Sequence, residues 1–65
     1  MSISMFDRVR YVGPEIFEEQ IKFGDIGYVI EMYGDGNFEV EFSNPDGTTR
    51  ATIVLTRHEL EVANT

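Results

Sequence analysis

Phe38-Glu39-Val40-Glu41-Phe42 carries the clearest pattern in the chain: apolar and acidic positions alternate with a period of two. That period belongs to a strand with one face in a core and the other in water. It predicts a strand over 38–42 with Phe38, Val40 and Phe42 turned inward and Glu39 and Glu41 turned out. Weaker forms of the same alternation flank it. Over 6–12, Val9 and Tyr11 oppose Arg8 and Arg10, and over 49–55, Ala51, Ile53 and Leu55 share a face. Residues 27–33 are rich in β-branched and aromatic side chains and predict a further strand. Leu60 and Val62 predict a short fifth one.

The breaks between these runs come at short intervals and have turn chemistry. Gly13-Pro14 ends the first strand, and Gly24 and Gly27 bracket a tight turn into the second. Gly34-Asp35-Gly36-Asn37 and Asn44-Pro45-Asp46-Gly47 are hairpin signals. Thr56-Arg57-His58-Glu59 has the spacing of a capping box, but too few residues follow for an α-helix, so a 3₁₀ turn is expected before the last strand. The exception to the β pattern is 15–22, where Ile16, Phe17 and Ile21 could form a helical stripe behind Pro14. So short a helix has no stability of its own, and the segment reads as a long loop with one helical turn. Many short strands with regular turns point to an all-β fold, a small five-stranded SH3-like barrel with a long first loop and a 3₁₀ turn before the last strand. Val9, Val29, Val40, Phe42, Ile53 and Leu55 are its expected core. The expected organisation is a flexible N-terminal tail over 1–4, one barrel over 5–62 and a frayed C-terminus over 63–65.

Size and charge sharpen this picture. With 65 residues the chain has room for one domain, and a domain of that length buries roughly 60% of its unfolded surface. It has no cysteine, so packing alone must hold it, which fits a reducing, cytoplasmic setting. No apolar run approaches a membrane span, and the first residues lack the charge and apolar stretch of a signal peptide. Twelve acids against five bases leave a net charge of −7. That balance disfavours nucleic acid, whose phosphates call for a basic footprint. It suits either simple solubility or a protein partner with a basic surface.

Lys22-Phe23-Gly24-Asp25-Ile26-Gly27-Tyr28-Val29-Ile30-Glu31-Met32-Tyr33, Phe38-Glu39-Val40-Glu41-Phe42, Ala51-Thr52-Ile53-Val54-Leu55 and Glu59-Leu60-Glu61 together carry a resemblance. From Met5 to Val62 the chain resembles an uncharacterised bacterial family of small acidic SH3-like barrel proteins, known only as a domain of unknown function. The resemblance implies a fold without a chemistry. Such proteins are similar to the small partners of toxins in antitoxin or immunity modules, which implies neutralisation of a basic protein. The alternatives are an accessory subunit of a larger enzyme or redox complex and KOW-like nucleic-acid binding, the last disfavoured by charge.

Little in the chain points to chemistry. His58 is the one histidine, and no nucleophile, base and orienting group can be assembled around it, so no catalytic, cofactor or metal residue is assigned. Asp35-x-Asn37-x-Glu39 resembles the start of a calcium loop, but Val40 stands where an EF-hand needs glycine. Arg8 and Arg10 on one strand and Glu39 and Glu41 on another predict a cross-strand charge lattice. Aromatic residues exceed what so small a core needs. Ile16, Phe17, Tyr28, Met32, Tyr33, Glu39 and Glu41 are therefore the candidate partner-binding residues of a non-catalytic module, expected as a monomer or weak dimer.

Overall fold

The structure is a computed structural model that describes residues 2–63. Five antiparallel strands form one sheet: β1 (Arg8–Tyr11), β2 (Ile26–Tyr33), β3 (Asn37–Ser43), β4 (Thr49–Thr56) and β5 (Leu60–Val62). The order across the sheet is β4-β3-β2-β1-β5, so β4 and β5 are its edges. The other regular elements described are two 3₁₀ turns, Phe17–Glu19 and Arg57–Glu59. No helix is long and apolar enough to cross a membrane.

The alternation in β3 places its side chains as the pattern predicts. Val40 and Phe42 are fully buried and Phe38 nearly so, while Glu39 and Glu41 lie on the other side. Val9 and Tyr11 of β1, Val29 of β2 and Leu55 of β4 complete the interior, with Ile53 partly buried against them. Ile21, at the end of the first loop, is also fully buried, and Ile16 pairs with it through an isolated bridge. That loop carries a single 3₁₀ turn, and the stripe expected along it divides, with Ile16 and Ile21 on the core and Phe17 76% exposed. Tyr11 closes the loop's start, its hydroxyl donating to the Pro14 carbonyl at 2.5 Å. Burial, and after it the nearby Glu59 carboxylate, raises the Tyr11 phenol above its ordinary pKa.

The ends join the domain more closely than the expected tail and frayed terminus suggest. Ile3 is a core residue, held by the Ser4–Asp7 turn that follows it. Ala63 is buried and its N–H donates to the Arg8 carbonyl at 2.8 Å. Asn64 and Thr65, the rest of the expected frayed segment, lie outside the described residues. The capping box forms as predicted: Glu59 Oε1 accepts from the Thr56 N–H at 2.9 Å.

Candidate functional site

The outward surface of β2 and β3 is where the acidic and aromatic candidates meet. A bulge in β2 decides which of them share it. Val29 pairs with Val40, but the next register pair is Glu31 with Glu39, leaving Ile30 unopposed. Without that extra residue, Tyr28 and Tyr33 would lie on opposite faces, because strand positions five apart do. With it, Tyr28 faces outward opposite Glu41, Glu31 faces outward opposite Glu39, and Tyr33 joins them. The Tyr33 hydroxyl donates to Glu39 Oε1 at 2.8 Å. This bond, with smaller help from desolvation and from the charges of Glu39 and Glu31, raises the Tyr33 pKa. Glu41 Oε2 accepts from the Thr49 hydroxyl at 2.7 Å. Val54 of β4 lies beside Glu39 and is 49% exposed, and Tyr28 is 48% exposed.

Tyr28, Tyr33, Glu31, Glu39, Glu41 and Val54 thus form one continuous outward patch. The segment from Ile26 to Ser43 carries four acids, Glu31, Asp35, Glu39 and Glu41, and neither lysine nor arginine. Glu31 and Glu39 stand directly opposite each other, an arrangement that like charges disfavour. Of the bases on neighbouring strands, Arg8 stands opposite Tyr28 at the border of this patch. Arg10 Nη1 pairs with Glu61 Oε1 at 2.8 Å, and Arg50 Nη2 reaches Asp25 Oδ2 at 3.6 Å. Arg8 Nη1 donates to the Ala63 carbonyl at 3.3 Å. Arg8 and Arg10 are not cross-strand neighbours of Glu39 and Glu41, because β1 lies between β2 and β5 and does not border β3.

The remaining candidates lie apart from this patch. Met32 is opposite Phe38 and so belongs to the inner side, although it is 42% exposed at the strand end. Ile16 packs on the core, and Phe17 projects from the first loop. Glu31 and Val54 were not among the sequence candidates. Each depends on strand pairing: the bulge in β2 sets the phase of Glu31, and the β3–β4 register brings Val54 beside Glu39.

The patch combines aromatic rings that carry hydrogen-bonding tips with a mainly acidic surround, bordered by Arg8 opposite Tyr28. His58 is exposed in the Arg57–Glu59 turn. Asp35 Oδ1 accepts from the Asn37 N–H at 3.2 Å, so the calcium-like spacing is used to make a turn. Among the described residues, no group of three or more histidine or acidic side chains is arranged to hold a metal. A shallow recess of about 200 Å³ is lined by Ile3, Arg57, Leu60, Glu61 and Val62, none of them part of the patch. The family model described as a domain of unknown function, DUF4926, matches residues 5–62. No match was found among curated proteins or among solved structures.

Proposed function

The chain belongs to the DUF4926 family, and from that premise we propose that it is a non-catalytic protein-binding module whose acidic β2–β3 face covers a basic surface of another protein. The partner class that fits is the basic enzyme of an antitoxin or immunity pair in the bacterial cytoplasm. The observation that carries the reading is the outward gathering of Tyr28 and Tyr33 with Glu31, Glu39 and Glu41 on strands that hold no base. Four acids on one hairpin steer a cationic partner and choose its orientation. Exposed tyrosines supply the contact area that becomes buried on docking, at a small cost in side-chain freedom. Direct opposition of Glu31 and Glu39 works against stability in the free chain and would be relieved by a lysine or arginine placed between them.

The test is co-expression with the product of the adjacent gene, followed by co-purification and a growth assay. The expected result is a complex that weakens with salt and a rescued culture. Glu39→Lys with Glu41→Lys should weaken the complex at least about tenfold, a loss of about 1.4 kcal/mol. Glu15→Lys with Glu18→Lys, in the first loop, changes the net charge equally and should leave it nearly intact. Equal loss in both double variants would mean that net charge, not this face, drives association. No complex and no rescue would end the antitoxin reading.

A further inference from the structure

We propose that β4 is a homodimerisation edge, where a second copy of the chain pairs antiparallel with it about a twofold axis at Ile53. The argument starts from the hydrogen-bond phase of the strand. Antiparallel ladders alternate between pairs that exchange hydrogen bonds and pairs that do not. The Arg57 N–H donates to the Gly36 carbonyl at 3.2 Å, and at the other end the Asn44 N–H donates to the Thr48 carbonyl at 2.7 Å. Counting inward from Arg57 through the register assigns Leu55, Ile53 and Ala51 to the ladder with β3. Counting from Thr48 agrees once Arg50 is skipped as the bulged residue, since Ser43 pairs with Thr49 and Phe42 with Ala51. The Thr56 N–H fits the same phase, as it turns away from β3 to Glu59. The N–H and C=O groups of Thr52 and Val54 therefore point outward from the sheet edge.

Those four groups are self-complementary. A second β4 centred on Ile53 would set Thr52 opposite Val54 of its copy, and Val54 opposite Thr52, each pair exchanging two hydrogen bonds. Ile53 would meet its copy across the axis in the closer, non-hydrogen-bonded spacing. That position matches an incompletely filled part of the core: Ile53 faces inward between Ala51 and Leu55, yet it stays partly exposed while both of them are buried. The copy's isoleucine would cover it.

Charge selects the same strand. Copies carrying −7 each repel, so they can approach only where acids are missing. Thr49–Thr56 holds none of the twelve acids, and its one charge is the Arg50 cation, held to Asp25. Between the bulge at Arg50 and the capping box at Thr56, the strand lacks the proline or lysine that commonly blocks an open edge. The opposite edge, β5, is three residues long and offers too little ladder.

Sedimentation equilibrium and amide hydrogen exchange test the proposal on the full chain. The expected mass rises with concentration from 7.4 kDa toward twice that value. Because like-charged copies must meet, dimerisation should strengthen between about 0.05 and 0.5 M salt, opposite in sign to docking of a basic partner. The Thr52 and Val54 amides should gain protection with protein concentration, and amides of the β2–β3 hairpin should not. Thr52→Pro removes an N–H that β3 does not use, and Val54→Lys puts a cation beside Glu39. Both should leave the fold intact by circular dichroism and weaken dimerisation at least about tenfold. A chain that stays at monomer mass at every concentration and salt, or protection that does not change at Thr52 and Val54, overturns the proposal. So do folded variants that dimerise as tightly as the parent chain.

Discussion

Each of the four aspartates is engaged in a turn. Asp7 accepts from the Ser4 N–H at 2.8 Å, Asp25 from Lys22 at 3.0 Å, Asp35 from Asn37 at 3.2 Å and Asp46 from Thr48 at 3.0 Å. A short carboxylate reaches its neighbours' backbone, which is why aspartate is favoured in turns. Asp46 also accepts from the Thr48 hydroxyl, and these bonds hold its pKa below the ordinary carboxylate value. A third of the negative charge therefore comes from turn construction, and glutamates supply the outward face. The Ser4–Asp7 turn contains the chain's clearest local conflict. Phe6 adopts a left-handed conformation, φ 67°, with its ring 73% exposed. A bulky residue there is strained by about 1–2 kcal/mol relative to the right-handed region. The structure offers no packing that requires the ring. Phe6→Gly should therefore be more stable than Phe6→Ala by about 1 kcal/mol, because alanine keeps the strain and glycine removes it. Urea unfolding of the two variants measures the difference, and equal stability would show that the turn is not strained at Phe6.

At the scale of elements, all five strands are legible in the sequence, while the register that joins them is not. The inward set of β3, the hairpin at Pro45-Asp46-Gly47 and the Thr56–Glu59 capping box all follow from local rules that the structure obeys. The outward patch is legible in part: Tyr28, Tyr33, Glu39 and Glu41 are in it, whereas Met32 stands opposite Phe38 on the inner side. The bulge at Ile30 has no local marker, since it exists only relative to β3. The Arg10–Glu61 pair was missed for a similar reason, as it depends on β5 returning beside β1. Gly27 shows the same dependence on pairing. Its glycine looks like turn chemistry, but a Cβ there would come within 2.7 Å of Val40 Cγ1 and 2.9 Å of the Glu41 carbonyl oxygen. The β2–β3 contact requires an empty position at that point. Gly27→Ala should destabilise by about 1–3 kcal/mol through overpacking, read as a lower denaturation midpoint with an unchanged m-value. A neutral effect would mean that β3 can shift to make room.

For the molecule as a whole, a small core must hold against a large uniform charge. A domain of 65 residues is expected to have a net stability of roughly 3–10 kcal/mol. Twelve acids on so small a surface work against compactness, since folding brings together acids that are far apart in the sequence. The ion pairs Arg10–Glu61, Lys22–Asp25 and Arg50–Asp25, which work against this repulsion, are partly exposed, and exposed pairs contribute about 0–1 kcal/mol each. Repulsion acts over many long separations and attraction over a few short ones. Salt screens the former more completely, because separations near or beyond the Debye length of about 8–10 Å lose most of their interaction. The melting temperature should thus rise between about 0.05 and 0.5 M sodium chloride, by several degrees if about 1 kcal/mol of repulsion is removed, as is typical for a domain under 100 residues. Measured on Thr52→Pro at low concentration, the rise cannot come from dimerisation. Glu31→Gln, which removes one member of the opposed glutamate pair, should raise the low-salt melting temperature and reduce its dependence on salt. A melting temperature that falls with salt would show instead that ion pairs outweigh the excess charge, and the acidic face would then be a smaller strain on the free protein than its geometry implies.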